Sequence, residues 1–271
     1  MKEMKGKRIA EEKLSFLKED MERKGLSLSL AVVRVGEDPV SSVYVKRKKE
    51  ELSRMGISVS IYDHDEKIEK EKLKENISSL EEDGIIVQLP LPKNLNAREV
   101  IDAIPEKKDV DLLSSSAIGK FYTGMTNTFP PVVGAVETLL EEYEIDCKGK
   151  NVVLMGAGAL VGKPLSLYFL KKEATVSVLN AYTKQPERFT KEADILVSGV
   201  GRPGLVKGDM VKKNVVIIDA GTSSSGKKLK GDVDMRSVNE KASLVTPVPG
   251  GVGPLTIYHL ANNLKILNDG R

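Results

Sequence analysis

A chain of 271 residues with 40% apolar and 30% charged side chains is long enough for two modest domains, each with its own core. Its net charge of +3 and the alternation of lysine with glutamate argue against nucleic acid as the main partner, and no segment is apolar for long enough to span a membrane. The single cysteine, Cys147, excludes an intrachain disulfide and indicates a cytoplasmic setting. His64 and His259 have no partners at metal-ligand spacing, so no metal site is expected.

The first half of the chain alternates predicted strands with predicted helices. Hydrophobic periodicity places these elements, with Gly56 and Pro105 as helix stops and Asn96 as a cap. In chain order they are a strand over 28–35, a helix over 41–55, a strand over 57–62, a helix over 69–82, a strand over 85–89 and a short helix between Asn96 and Pro105. Three serines, 114–116, follow and mark the predicted domain boundary.

The second half repeats the alternation more regularly. Its predicted elements are helices over 132–143, 160–171 and 255–267 and strands over 151–155, 175–179, 195–200, 215–219 and 244–248. Such alternation indicates parallel strands joined by crossover helices on both faces. We predict an α/β protein with an N-terminal α/β substrate domain, 1–118, a C-terminal Rossmann-type doubly wound parallel sheet, 119–254, and the active-site cleft between them. The last helix, within 255–271, is expected to pack back on the first domain.

A glycine-rich segment lies between the strand over 151–155 and the helix over 160–171. It runs Gly-Ala-Gly-Ala-Leu-Val-Gly, and glycines at such a turn let the backbone approach a pyrophosphate at the helix N-terminus. The spacing is one residue longer than the standard dinucleotide fingerprint, and a tight turn without a ligand is the alternative. The residues assigned to a dinucleotide are Gly156, Ala157, Gly158, Leu160, Val161 and Gly162, with Thr222 after a later strand.

Polar residues in apolar surroundings suggest a second site in the first half. Tyr44 and Lys48 share one face of a predicted helix, where a lysine could serve as proton donor or acceptor. Gln88 is the one polar residue in an apolar strand and needs a partner. Asp111 follows the last element of this half, where loop carboxylates often meet substrate. Each has an ordinary alternative, as a core-edge aromatic, a solvated lysine or a turn residue. Only their combination indicates a site.

Several ordered segments match one known family. They are Val-Gly-Glu-Asp-Pro over 35–39, the stretch from Tyr44 to Lys48, Gly-Ile-Ile-Val-Gln-Leu-Pro-Leu-Pro over 84–92, Lys-Asp-Val-Asp over 108–111, Val-Gly-Lys-Pro over 161–164 and Thr-Pro-Val-Pro-Gly-Gly-Val-Gly-Pro-Leu-Thr over 246–256. Through them the chain resembles, over nearly its whole length, the bifunctional methylenetetrahydrofolate dehydrogenase/methenyltetrahydrofolate cyclohydrolase family. The last segment is the most specific, because so dense a proline and glycine run has few other sources.

The resemblance implies an activity and an assembly. It implies oxidation of methylenetetrahydrofolate to methenyltetrahydrofolate with a nicotinamide cofactor, then hydrolysis to 10-formyltetrahydrofolate, in a homodimer. Lys48 would be the catalytic lysine and Gln88 the residue that holds and tunes it. Tyr44 would pack on the folate, and Asp111 would accept hydrogen bonds from its pterin ring. The implied substrate-binding set is completed by Pro249, Gly250 and Thr256.

For the choice between NADP and NAD, the residues of this chain and the family pattern give different indications. No carboxylate ends the strand over 175–179, so nothing there repels a 2′-phosphate. The family's usual phosphate contacts, an arginine in the glycine loop and a serine after that strand, are replaced by Ala157 and Ala181. Lys184 and Arg188 are either solvated loop charges or replacement contacts. We predict that NADP is accepted, with weaker discrimination against NAD than the family norm.

Two further departures from the family concern local packing. Leu112 stands where the family usually has glycine, and Phe-Pro-Pro-Val-Val-Gly over 129–134 replaces Pro-Cys-Thr-Pro-x-Gly. Two rival functions stay open at this point, a dehydrogenase without the hydrolysis step and a catalytically silent dinucleotide-binding regulator. The presence of Tyr44, Lys48 and Gln88 argues against the first. Asp111 and the loop over 249–256 argue against the second.

Overall fold

The computed structural model describes residues 1–36, 39–225 and 228–269, with the side chains of 39–44, 224–225 and 228 outside the description. The helices are α1 (Gly6–Arg23), α2 (Pro39–Arg54), α3 (Lys70–Ser78), α4 (Ala97–Ile101), α5 (Ser115–Thr123), α6 (Pro131–Glu142), α7 (Gly162–Lys171), α8 (Glu187–Thr190) and α9 (Val252–Asn268). The strands are β1 (Lys2–Glu3), β2 (Ser29–Val35), β3 (Ser58–His64), β4 (Gly84–Val87), β5 (Asn151–Met155), β6 (Thr175–Leu179), β7 (Ile195–Ser198), β8 (Val215–Asp219), β9 (Ser223–Ser225), β10 (Lys228–Lys230) and β11 (Ala242–Val245). Among the described helices, none combines the length and the apolar character needed to cross a membrane.

The chain folds into two compact units, and each is discontinuous in sequence. The three-stranded unit contains Glu12–Pro131 and Ile257–Arg271, and the six-stranded unit contains Met1–Glu11 and Val132–Thr256. The predicted boundary at 118/119 therefore differs from the structure, in which that position lies inside α5. The serines begin this helix and do not form a linker, because the Ser114 hydroxyl accepts a hydrogen bond from the Ala117 amide at 3.2 Å. Residues 1–11 join the six-stranded unit, since β1 pairs in parallel with β11.

The three-stranded unit is built on a small parallel sheet in the order β3-β2-β4. Side chains alternate along β2, so Leu30 and Val32 enter one apolar cluster while Ala31 and Val33 enter another. The first cluster draws on α1, α2 and α9, including Leu52 of α2, and the second draws on α3 and α4. Helices thus supply apolar partners to both faces of the sheet, as a fully buried parallel sheet requires.

The six-stranded unit is a parallel sheet in the order β1-β11-β8-β7-β5-β6. The sheet confirms the predicted Rossmann-type class, and the strands predicted over 151–155, 175–179 and 215–219 coincide with β5, β6 and β8. β6 pairs in parallel with one side of β5, and the next strand in the chain, β7, pairs in parallel with the other side. The order in which strands are added to the sheet therefore reverses at β5. In open α/β sheets, ligands bind beyond the carboxyl ends of the strands at such a reversal. The glycine-rich segment begins at that place, directly after β5.

Candidate active site

Lys48 and Gln88 meet in the three-stranded unit. Lys48 lies on α2 and is half-buried, and Gln88 directly follows β4. The Gln88 side-chain nitrogen donates to the Leu89 carbonyl at 2.8 Å, which turns the amide oxygen towards Lys48. The Lys48 ammonium donates to that oxygen at 3.4 Å. The glutamine therefore orients the lysine through a long hydrogen bond, and among the described residues no other acceptor binds the Lys48 ammonium.

Asp111 is the carboxylate beside this pair. Desolvation raises the pKa of Asp111, the positive charge of Lys48 opposes that rise, and the nearby carboxylate of Asp109 adds to it. Asp109 itself is buried and accepts hydrogen bonds from the Leu113 amide at 3.3 Å and the Ser114 amide at 2.8 Å. Asp109 therefore shapes the turn, whereas no hydrogen bond from the described residues reaches the Asp111 carboxylate, so its acceptor positions there are open to a ligand.

The two local departures from the family have visible structural consequences. Leu112 adopts a left-handed conformation, with φ of 53°, and its side chain is buried. Such a backbone favours glycine, so the buried leucine side chain offsets a conformational cost of about 1–2 kcal/mol. Phe129 packs edge-to-face on Phe121, and its carbonyl accepts from the Asn263 side chain at 2.7 Å.

The side chain of Tyr44, predicted to pack on the folate, lies outside the described residues. Within the described part of α2, Val45 and Leu52 are buried in the core and Lys48 is the half-buried cation between them. Among the described residues, no group of three or more His, Cys, Asp and Glu side chains is arranged to hold a metal ion.

The glycine turn after β5 is built by close backbone packing in the six-stranded unit. The Gly156 amide donates to the Leu179 carbonyl at 2.9 Å, which ties the turn to the end of β6. A Cβ atom at Gly162 would lie 1.9 Å from the Gly156 carbonyl oxygen, so a side chain there would clash with backbone. A Cβ atom at Gly158 would meet nothing within 4 Å. Two glycines thus close the turn, and the third leaves its outer side open.

The helix that follows suits an anion. α7 begins at Gly162, and Val161 before it provides no side-chain cap for the first amides. The first turn of α7 contains no acidic residue. The Lys163 amide donates to the Gly158 carbonyl at 3.0 Å, and Pro164 has no amide hydrogen, so the helix contributes mainly the positive end of its dipole. No carboxylate in the first turn competes with an anion there. These features fit the pyrophosphate of a dinucleotide.

The two predicted phosphate-binding cations occupy different places. Lys184 is exposed, just after a turn in which the Asn180 side chain accepts from the Tyr182 amide at 2.9 Å. Arg188 lines a cavity of about 140 Å³ with Asn151 and Thr175, the first residues of β5 and β6. The glycine turn lies at the opposite, carboxyl ends of those strands. The position of Lys184 is therefore the better suited to a 2′-phosphate.

The other predicted contact residues belong to the six-stranded unit, three of them on loops and Thr256 within α9. Thr222 is half-buried just beyond β8. Pro249 is exposed, and the Gly250 carbonyl accepts from the Lys7 amide at 2.8 Å. The Thr256 hydroxyl donates to the Gly253 carbonyl at 2.7 Å, in the first turn of α9.

Sequence reasoning missed two buried aspartates beside these loops. Asp219 ends β8 and accepts from the amides of Gly221 at 3.0 Å and Val233 at 2.9 Å. Burial raises its pKa to about 6. Asp232 is completely buried and lies below the loop after β7. A carboxylate that ends an apolar strand, and the Gly-Asp-Val-Asp run over 231–234, were the available signals.

The chain matches two family models. They are the catalytic domain of tetrahydrofolate dehydrogenase/cyclohydrolase, over residues 4–111, and its NAD(P)-binding domain, over residues 130–269. A bifunctional protein FolD from Hydrogenobaculum sp. (strain Y04AAS1) is 44% identical over 267 residues, covering 96% of each chain. The bifunctional enzyme FolD, a methylenetetrahydrofolate dehydrogenase/cyclohydrolase, from Campylobacter jejuni has a TM-score of 0.92 at 35% identity, covering 98% of both chains. The Trypanosoma brucei N5,N10-methylenetetrahydrofolate dehydrogenase-cyclohydrolase, solved with NADP and an inhibitor, has a TM-score of 0.90 at 29% identity and covers 97% of this chain and 95% of its own.

Proposed function

Since the chain belongs to the tetrahydrofolate dehydrogenase/cyclohydrolase family, we propose that it oxidises methylenetetrahydrofolate to methenyltetrahydrofolate with NADP and then hydrolyses the product to 10-formyltetrahydrofolate. The observation that supports the second step is the half-buried Lys48, held by Gln88 and close to Asp111. A simple dinucleotide-binding protein has no need of such a group on an apolar helix face.

In the oxidation step, the main task of the protein is to position the folate and the cofactor. NADP, when bound, supplies the acceptor for the hydride that leaves the methylene carbon. The backbone amides over 157–162 would hold the pyrophosphate of NADP, and Lys184 would bind its 2′-phosphate. Asp111 orients the folate by accepting hydrogen bonds from the pterin N–H groups.

The hydrolysis step asks the protein to move protons. Water adds to the methenyl carbon and loses a proton, the bond from that carbon to N5 breaks, and N5 ends with a proton. Lys48 exchanges these protons with the reacting groups. Gln88 keeps the lysine in place through its amide oxygen, whose orientation is fixed by the bond from the amide nitrogen to Leu89.

Two absorbance assays on the purified chain test this function. One follows NADPH formation from methylenetetrahydrofolate and NADP, and the other follows loss of methenyltetrahydrofolate. We expect both activities. NADPH formation without methenyl hydrolysis would establish a dehydrogenase alone. Dinucleotide binding without either activity would establish a silent regulator.

The assembly and location also belong to the proposal. The family resemblance supports a homodimer, and the single cysteine suits a reducing cytoplasm. Light scattering coupled to size-exclusion chromatography tests the first, with an expected mass of twice the 29.6 kDa chain. A monomer at micromolar concentration would contradict it.

A further inference from the structure

One carboxylate in the six-stranded unit accepts several hydrogen bonds from the loop that follows β7. Asp232 is 0% exposed, and one of its oxygens accepts from the Ser198 hydroxyl at 2.7 Å and from the amides of Val200 at 2.8 Å and Gly201 at 3.2 Å. The other oxygen accepts from the Arg202 amide at 2.7 Å. Three of the four donors share one oxygen, and a single donor binds the other. Asp232 therefore fixes the backbone over 200–202, and its complete burial keeps it away from a ligand.

That loop directly adjoins the glycine turn. A Cβ atom at Gly199 would lie 2.4 Å from the Val161 side chain, and one at Gly156 would lie 2.9 Å from the Gly199 carbonyl oxygen. The segment after β7 and the turn after β5 therefore fit together without space for a side chain between them. A shift of the first would move the second.

The loop after β8 rests on the same carboxylate. A Cβ atom at Gly221 would lie 2.1 Å from the carboxyl carbon of Asp232, so that carboxylate occupies the space beneath the glycine. Gly221 immediately precedes Thr222, and the Thr222 carbonyl oxygen lies 3.5 Å from the Cβ position of Gly201. Three loops at the carboxyl ends of adjacent strands thus depend on one buried group.

We propose that Asp232 is a positioning residue for dinucleotide binding, which sets the loops after β7 and β8 against the glycine turn without touching the cofactor. The inference rests on the proposed use of NADP. A positioning role of this kind affects the two activities differently, because hydrolysis of methenyltetrahydrofolate needs no dinucleotide and uses Lys48 of the other unit. Hydrolysis therefore serves as an internal reference for correct folding.

The test compares the full-length wild type with Asp232→Asn and with the matched control Asp234→Asn. An asparagine amide at 232 places an NH2 group against at least one of the four donors, so the loop shifts. We expect the KM for NADP to rise about ten-fold in Asp232→Asn, with the rate of methenyl hydrolysis within about two-fold of wild type. Among the described residues, the Asp234 side chain accepts from the amides of 236 and 237, both at one oxygen, and asparagine retains that cap, so both activities are expected to stay unchanged in the control.

The outcomes separate the inference from the proposed function. An unchanged KM for NADP in folded Asp232→Asn, or an equal loss of both activities, would overturn the positioning role while leaving the proposed function intact. A wild type without either activity would remove the proposed function first. If Asp232→Asn does not fold, Ser198→Ala removes one of the four donors, and a rise of about three-fold in the KM for NADP supports the role. An unchanged KM in Ser198→Ala would then overturn it.

Discussion

Each unit contains an Asp-Val-Asp segment, over 109–111 in the three-stranded unit and over 232–234 in the six-stranded unit. In both, the valine is buried in the apolar core, and the first aspartate is buried and accepts backbone amides. The second aspartates differ. Asp234 accepts from the amides of Arg236 at 3.1 Å and Ser237 at 3.3 Å. Asp111 lies near Lys48, and no hydrogen bond from the described residues reaches it.

The comparison shows that local sequence alone does not tell a structural carboxylate from a functional one. A carboxylate that accepts backbone amides stabilises a turn and has already used part of its capacity for hydrogen bonds. A desolvated carboxylate beside a cation keeps its acceptor sites for a ligand, at a cost to the folded state. The deciding information is which residues the fold brings beside each aspartate.

The largest effect is expected for Lys48→Met. Removing the only proton-exchanging group of the pair should lower the rate of methenyl hydrolysis about 100- to 10,000-fold, with dinucleotide binding retained. The assay is the loss of methenyl absorbance, and Lys49→Met, an exposed position on the same helix, is the control. Substantial hydrolysis by Lys48→Met would remove Lys48 from the mechanism.

Asp109→Ala separates the two aspartates of the first segment by stability. The amides of Leu113 and Ser114 lose a buried acceptor, so we expect the free energy of unfolding to fall by about 3 kcal/mol in urea denaturation. Asp111→Ala is the matched variant and should not lower that free energy, because desolvation of Asp111 already disfavours its charge. Equal destabilisation by both substitutions would contradict the comparison.

A further buried aspartate, Asp219, should make the stability of the protein depend on pH. Its pKa is raised to about 6 in the folded state, so the folded protein binds this proton more tightly than the unfolded chain, in which the value is 3.8. The stabilising contribution is complete below pH 3.8 and is lost as the pH rises to about 6, by about 3 kcal/mol in all. The measurement is the difference in the free energy of unfolding between wild type and Asp219→Asn from pH 4 to pH 7. A difference that stays constant, or that grows in favour of wild type with pH, would contradict this assignment.

Asp111→Ala tests the other aspartate by affinity. The pterin N–H donors lose a charged acceptor, and a hydrogen bond of that kind contributes about 1.5–3 kcal/mol, so folate should bind at least about ten-fold more weakly. Isothermal titration calorimetry measures this. An unchanged affinity would show that Asp111 lies outside the binding site.

The smallest effect is expected for Lys184→Ala. An exposed ion pair contributes at most about 1 kcal/mol, so kcat/KM with NADP should fall about five-fold, with little change for NAD. Arg188→Ala is the control and should leave both values unchanged. A strong preference of the wild type for NAD, or an effect of Arg188→Ala equal to that of Lys184→Ala, would show that this account of phosphate recognition is wrong.

Sequence patterns predicted the six-stranded unit better than the three-stranded one. Short apolar strands flanked by glycine and polar residues have clear limits, and β5, β6 and β8 match the prediction residue for residue. Sequence analysis assigns no element to α1, although Ile9, Leu17 and Met21 recur at helical spacing and are buried. The predicted boundary differs because a serine cap and a linker serine look alike in sequence.

The site was predictable only in part, because its geometry depends on distant residues. The pairing of Lys48 with Gln88 followed from two polar residues in apolar segments, and the structure joins them. The role of Asp232 did not follow, because its four donors lie some thirty positions earlier in the chain, over 198–202. Only the fold brings that carboxylate beneath three loops.

The discontinuity of the three-stranded unit has a consequence for synthesis on the ribosome. Residues 12–131 emerge early, yet the apolar cluster on one face of their sheet includes Ile257, Leu260 and Leu264 of α9. Until α9 is released, that face exposes apolar surface in the nascent chain, which is the condition under which chaperones bind and aggregation begins. The six-stranded unit needs only segments that have already emerged by residue 256. We therefore expect the half that is translated first to complete its folding last.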